Sequence, residues 1–160
     1  EKLKLSDFLL PLKDMLHTEA KERFLKLHIE DKIDKGKMIS TDTARYIFAL
    51  RTILRNALHF APKNDKVQMQ MTTINGDLEV TLEDHGQQIK KDHIPLMGSE
   101  FLSPGLARER IHHNNHFAMA LAVKLIHLAK GDLQITSNKM RTIHKIQLPL
   151  KLSIENEKAS

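Results

Sequence analysis

No cysteine occurs in the 160-residue sequence, which excludes disulfides, thiolate metal centres and a cysteine nucleophile. Tryptophan is also absent, tyrosine occurs once and aromatics make up only 4%. A base-stacking surface for single-stranded nucleic acid is therefore poorly supplied. No apolar run approaches the roughly 20 residues that span a bilayer. The N-terminus lacks a signal peptide's apolar core, and no P-loop, G-x-G-x-x-G or G-x-S-x-G pattern is present. The first residue is Glu1, which reads as the start of a piece cut from a longer protein.

What is present suffices for one soluble domain. Hydrophobic residues make up 41% and charged residues 28%, a globular rather than a disordered composition. Twenty-five Lys and Arg against twenty Asp and Glu give a net charge of +5 and a pI near 9.4. That balance admits an acidic partner, but the basic residues are scattered. An ordinary solvated surface is preferred to a nucleic-acid footprint, and no nucleic acid is expected as a partner.

Hydrophobic periodicity orders the chain. Ser6 is placed to cap a helix carrying Phe8, Leu9, Leu12, Met15 and Leu16, interrupted by Pro11. Phe24 to Ile29 alternates weakly like a strand, and Asp31 to Ile39 reads as a loop. Thr41 or Thr43 caps a helix to about Phe60, with Ile47, Leu50, Leu54, Ala57 and Leu58 on one face and Ala61-Pro62 as its stop. Lys66 to Ile74 and Asp77 to Glu83 flank Asn75-Gly76, a hairpin signal. A loop, a short helix around Asp92 to Met97 and a long loop from Gly98 to Asn115 follow. A helix then runs from Phe117 to Lys130 with Gly131 as its C-cap. Strands over Asp132–Ser137 and Thr142–Leu150 precede a frayed tail. Interleaved helices and strands around a hairpin predict a mixed sheet with its helices on one face.

Ten histidines invite a metal reading. His112 and His116 have the i, i+4 spacing that places two imidazoles on one metal in a helix. The segment reads as a loop with only His113 as a further ligand nearby, so a solvated polar loop is favoured. Asp84-His85 and Asp92-His93 are adjacent pairs, and neighbours on a strand point to opposite faces, so neither reads as an acid/base couple.

An ordered series of segments stands out instead. Thr41-Asp42-Thr43-Ala44-Arg45-Tyr46 opens a helix that ends Arg55-Asn56-Ala57-Leu58-His59-Phe60-Ala61-Pro62. After the hairpin comes Glu83-Asp84-His85-Gly86-Gln87-Gln88-Ile89, then Ala118-Met119-Ala120-Leu121, then Ala129-Lys130-Gly131-Asp132-Leu133, then Ile146-Gln147-Leu148-Pro149-Leu150. From Phe8 to Leu150 this order and spacing resemble the catalytic, ATP-binding domain of sensor histidine kinases. Gyrase, Hsp90 and the mismatch-repair ATPases share that superfamily.

The resemblance implies an α/β two-layer sandwich, a mixed sheet of about five strands with helices on one face. It implies a linker helix and first strand over 1–40, joining an upstream dimerisation region. An ATP-binding-type core over 41–150 and a tail over 151–160 complete the same domain. Asn56 matches the Mg²⁺-holding Asn, since a hard cation needs oxygen ligands beside the triphosphate. Its alternative is an exposed helix Asn. His59 stands where a basic residue meets a phosphate, and Phe60 where an aromatic lies near base and ribose. Asp84 and Gly86 match the acceptor of the adenine amino group and a glycine of the first glycine box, and Ile89 the apolar floor; a strand-end turn is the alternative for Asp84. Leu121 matches the leucine of the second box.

Other positions depart from the pattern. Thr52 replaces an Asn or acid, and Gln88 replaces a glycine and is expected to crowd the base. Ala118 and Ala120 replace the glycines whose bare backbone approaches the phosphates, and Arg141 replaces a hairpin glycine. ATP and Mg are the implied cofactors, bound weakly or not at all. The implied partners are the dimerisation and histidine-phosphotransfer helices of the same parent protein, with a response regulator or phosphotransfer protein. The resemblance also implies a cytoplasmic location without membrane contact. The expected role is a degenerate, pseudokinase-like relay; an active kinase domain is the alternative. No histidine upstream sits in a suitable acidic helix, so the chain alone is not expected to autophosphorylate.

Overall fold

A computed structural model describes residues 2–98 and 116–150. A two-residue strand β1 (Leu3–Lys4) leads straight into α1 (Leu5–Glu22); β2 (Lys26–Lys32), β3 (Met38–Ile39) and α2 (Thr43–Phe60) follow. Next come β4 (Lys66–Ile74), β5 (Asp77–Asp84) and a 3₁₀ turn over Ile94–Leu96. Helix α3 (His116–Leu128), β6 (Asp132–Ser137) and β7 (Thr142–Pro149) complete the described order.

Five strands form one mixed sheet in the order β2-β4-β5-β7-β6. The β2–β4 pair is parallel, from Lys26↔Lys66 to Lys32↔Thr72, and the other neighbours are antiparallel. Strand alternation sends Val67, Met69, Met71, Leu78, Val80, Leu82, Ile146 and Leu148 to one face. There they join Leu9, Leu12 and Leu16 of α1, Leu50, Ile53 and Leu54 of α2, and Met119, Ala122 and Ile126 of α3 in one buried cluster. The opposite face carries residues such as Gln68, Glu79 and Lys145, so the two-layer expectation holds.

Asn75 (φ 51°) and Gly76 (φ 86°) both take the left-handed conformation the hairpin needs. Elsewhere caps and ends shift. Helix α1 begins at Leu5 rather than behind Ser6, because the β1–β3 pairing brings Lys37 O to the Leu5 N–H at 2.9 Å. It continues through Pro11, held by a stripe of buried apolar residues. Its end is a Schellman turn: Phe24 (φ 58°) donates to Lys21 O, and Leu25 to Ala20 O. The strand therefore starts at Lys26 and runs to Lys32, into the expected loop.

Asp42, not Thr41 or Thr43, caps α2 by accepting from the Arg45 N–H at 3.1 Å. The helix expected over Asp92 to Met97 shrinks to the 3₁₀ turn. At the end of α3 the left-handed residue is Lys130 (φ 60°), not Gly131. Gly131 is needed for space, since a Cβ there would run into the Gln147 carbonyl oxygen. The tail and the long loop beyond Gly98, with His112 and His113, lie outside the described residues, as does the His116 side chain.

Candidate functional site

The sequence of α2 turns its last two turns toward the open end of the sheet. The apolar stripe buries Ile53, Leu54, Ala57 and Leu58 and carries Asn56 inward with them, at 5% exposure. Asp84, the last residue of β5, points to the same side and is 4% exposed. Asn56, Ala57 and Phe60 of α2 meet Asp84, Gln87, Ile89 and Met97, and Thr142 and His144 of β7, around one cleft. Its cavity measures about 20 Å³, room for a single water.

Ladder register explains the polar floor. Asp84 pairs with Thr142, and Thr142 with Ser137, so the three occupy one row across β5, β7 and β6. Ser137 Oγ and Thr142 Oγ1 are 2.7 Å apart, and Ser137 Oγ accepts from the Ile89 N–H at 2.9 Å. That bond fixes the strap from Asp84 to Ile89 over the floor. At its other end Asp84 Oδ1 accepts from the Gly86 N–H at 2.9 Å. Asp65 accepts from both the backbone N–H and Nδ1 of His85, at 2.8 and 2.7 Å. His85 thus pairs with Asp65 rather than with its neighbour Asp84. Gly86 has no room for a side chain: a Cβ would lie 2.7 Å from Phe60 O and 3.0 Å from Asp84 Oδ1.

His144 is fully enclosed beside this floor, and its Nδ1 has no hydrogen-bond partner. Burial lowers its pKa to about 4, so the ring is neutral at ordinary pH. A buried polar atom left unpaired costs about 1–3 kcal/mol.

The structure thus brings Asn56, Phe60, Asp84 and Ile89 into one cleft with Gly86 at its rim. His59 is turned aside, its Nδ1 2.7 Å from Arg23 Nη1. Leu121 and Ala120 line a different, larger groove of about 850 Å³ with Phe117, Lys124, Leu133 and Ile135. Ala118 and Thr52 are half-buried and line neither. Gln88 is exposed and outside the cleft, and its neighbour Gln87 lines it instead. Both glutamines are exposed on the strap between Asp84 and Ile89. Arg141 is exposed and pairs with Glu83 at 3.3 Å. Its φ is not positive, so its backbone makes no demand for glycine. Sequence reasoning missed Ser137, Thr142 and His144. The alternation Thr142-His144-Ile146-Leu148, two polar residues at the end of an otherwise apolar face, was the available signal.

Residues 41–152 match the family described as histidine kinase-, DNA gyrase B- and HSP90-like ATPases. The chain belongs to that family, as an ATP-binding domain of the histidine-kinase type. The sensor histidine kinase CusS of Escherichia coli K12 is 24% identical over 148 residues, 92% of this chain and 30% of that protein. The autoinducer 2 sensor kinase/phosphatase LuxQ of Vibrio parahaemolyticus is 23% identical over 152 residues, 91% of this chain and 18% of that protein. The chain thus spans a third or less of these relatives. In fold it matches the catalytic domain of histidine kinase ThkA (TM-score 0.76, 12% identity, 94% of this chain and 95% of that one). It also matches the mycobacterial sensor histidine kinase MprB (TM-score 0.72, 17% identity, 93% and 97%).

The family implies ATP with Mg²⁺, and the donor set fits the base end. A buried carboxyl group at Asp84 and an orphan imidazole nitrogen suit the amino group and ring nitrogen of an aminopurine. Among the described residues no group of three or more His, Cys, Asp or Glu converges on a metal. Mg²⁺ would take the Asn56 carbonyl oxygen together with phosphate and water oxygens, the ligands it prefers. Among the described residues no helix is long and apolar enough to cross a membrane.

Proposed function

We propose that this domain works inside a two-component sensor kinase on the cytoplasmic side. In this reading it keeps the base-binding half of an ATP site and holds the phosphates weakly. Its main role is to dock and relay signals between the dimerisation helices of its parent protein and a response regulator or phosphotransfer protein. The observation that carries this reading is the contrast within one site. Asn56, Asp84 and Ile89 converge on a cavity of only about 20 Å³, while Ala120 and Leu121 face a separate groove. Helix α3 runs from His116, so Ala120 lies where helical hydrogen bonds engage the N–H. Its methyl group also occupies space that a glycine would leave open.

The intact Asp84–Thr142–Ser137 row favours a second reading, an active domain that binds Mg-ATP and phosphorylates a histidine on a separate dimerisation helix. Calorimetric titration with Mg-ADP and Mg-AMPPNP separates the two. Millimolar or undetectable affinity supports the relay reading. Micromolar affinity that disappears in Asp84→Asn would overturn it in favour of the kinase.

A further inference from the structure

We propose that His144 discriminates among bases in this site, its Nδ1–H donating, through one water of the size the cavity admits, to a ring nitrogen of an aminopurine seated at the mouth of the cleft, whose exocyclic amino group is accepted by Asp84. This deepens the nucleotide reading above and rests on it. Among the described residues, His144 Nδ1 is the one buried side-chain nitrogen or oxygen left without a partner. It lines the same cleft as Asp84, Asn56 and Thr142.

Register fixes its relation to the floor. His144 pairs with Leu82 on one side and Ile135 on the other, while Asp84 pairs with Thr142, two residues along. Asp84 and His144 are therefore diagonal neighbours on adjacent strands, lining one cleft. The ladder neighbours of His144 are apolar, so packing alone asks for an apolar side chain there. A polar nitrogen at this position is explained by something that enters the cleft.

The chemistry selects the ligand. A neutral imidazole has one N–H and one bare nitrogen, and burial keeps this ring neutral. In its carboxylate form Asp84 only accepts. An adenine-type base offers a donor, its amino group, flanked by ring nitrogens that accept, which complements Asp84 together with an Nδ1–H. An oxopurine sets a carbonyl oxygen against the carboxylate, a mismatch whichever ring nitrogen is used, and on its N1 side it also replaces the acceptor by an N–H.

The test titrates the protein and its His144→Phe and His144→Leu variants with Mg-ADP and with its 1-deaza and 7-deaza analogues. Each analogue replaces one ring nitrogen by CH. Phe is expected to leave Tm unchanged or higher while weakening ADP roughly five- to tenfold, the size of one neutral hydrogen bond. One deaza analogue should bind the native protein weaker by the same factor, and the variants no weaker than they bind ADP. The ¹⁵N resonance of His144 Nδ1 should move on addition of ADP. Equal affinity of the native protein for ADP and both analogues overturns the assignment without using any variant. Unchanged ADP affinity in either folded variant overturns it too, and both results leave the nucleotide reading standing. No ADP binding to the native protein at millimolar concentration overturns the assignment together with the base-binding part of the reading above, and leaves only its docking role.

Discussion

The Arg23 guanidinium donates to Nδ1 of His59 at 2.7 Å, tying the end of α1 to the last turn of α2. Arginine has no acceptor, so Nδ1 accepts and the ring proton sits on Nε2. Glu19 lies between the two helices, 3.4 Å from Arg23 Nε and 2.6 Å from Arg55 Nη2. This link ends one residue from Phe60, a wall of the cleft. The link thus runs from the end of α1 to the residue beside the cleft wall.

Arg23→Ala removes that link and tests whether it couples α1 to the cleft. Loss of the bond to His59 and of one partner of Glu19 should cost about 1–2 kcal/mol, read as a lower midpoint in thermal melts. Backbone amide resonances of Asn56 and Phe60 should shift in the same variant. Unmoved resonances would show that α1 and the cleft are independent.

Gly86→Ala places a Cβ against Phe60 O and Asp84 Oδ1, a backbone and a short buried side chain that have little freedom to yield. The cost should be about 1–3 kcal/mol, with loss of any nucleotide-induced thermal shift. Gly36→Ala is the control. The nearest atom to its Cβ is Asp34 Oδ1 at 3.6 Å, ordinary contact, so its stability should change little.

Acid should destabilise the domain through His144. Burial lowers its folded pKa to about 4 from the ordinary histidine value of 6.5, so between those values the unfolded chain binds a proton that the folded one refuses. The His144 contribution is complete above pH 6.5 and is lost as pH falls toward 4, by about 3 kcal/mol in total. Urea titrations at pH 7 and pH 5 measure the slope, and His144→Phe should flatten it. An equal slope in the two proteins would assign the acid sensitivity elsewhere.

The double change Ala118→Gly with Ala120→Gly tests the phosphate end. Each glycine should cost about 1 kcal/mol of helix stability, yet Mg-ADP affinity should rise about tenfold if the methyls block backbone approach. Calorimetry reads the second effect and a thermal melt the first. Unchanged affinity would place both methyls away from the phosphates and favour the active-kinase reading.

The elements were legible where local chemistry decides. Asn75-Gly76 dictated its hairpin because few residues accept two successive positive φ values. The stripe Leu50, Leu54, Ala57, Leu58 dictated α2 because only a helix gathers those positions on one side. The N-caps were less legible. Several Ser, Thr and Asp residues compete near each start, and in α1 a backbone carbonyl from Lys37 took the role of a cap. At Lys130 and Phe24 the left-handed conformation falls on residues that no propensity would choose, because both Schellman turns are imposed by the packing of the chain that follows.

The candidate site divides the same way. By itself the sequence determined the order of the elements and the mixed sheet with helices on one face, since alternation and helical period depend only on neighbours along the chain; the family entered through the resemblance of its ordered segments. It also marked Asn56, Asp84, Gly86 and Ile89. Tertiary structure alone decided that Thr142 and Ser137 stand in one row with Asp84, that His144 lies unpaired beside them, and that His59 turns to Arg23. Those relations join residues from 5 to 60 positions apart. They depend on strand register and on how α1 leans against α2, quantities that no local pattern carries.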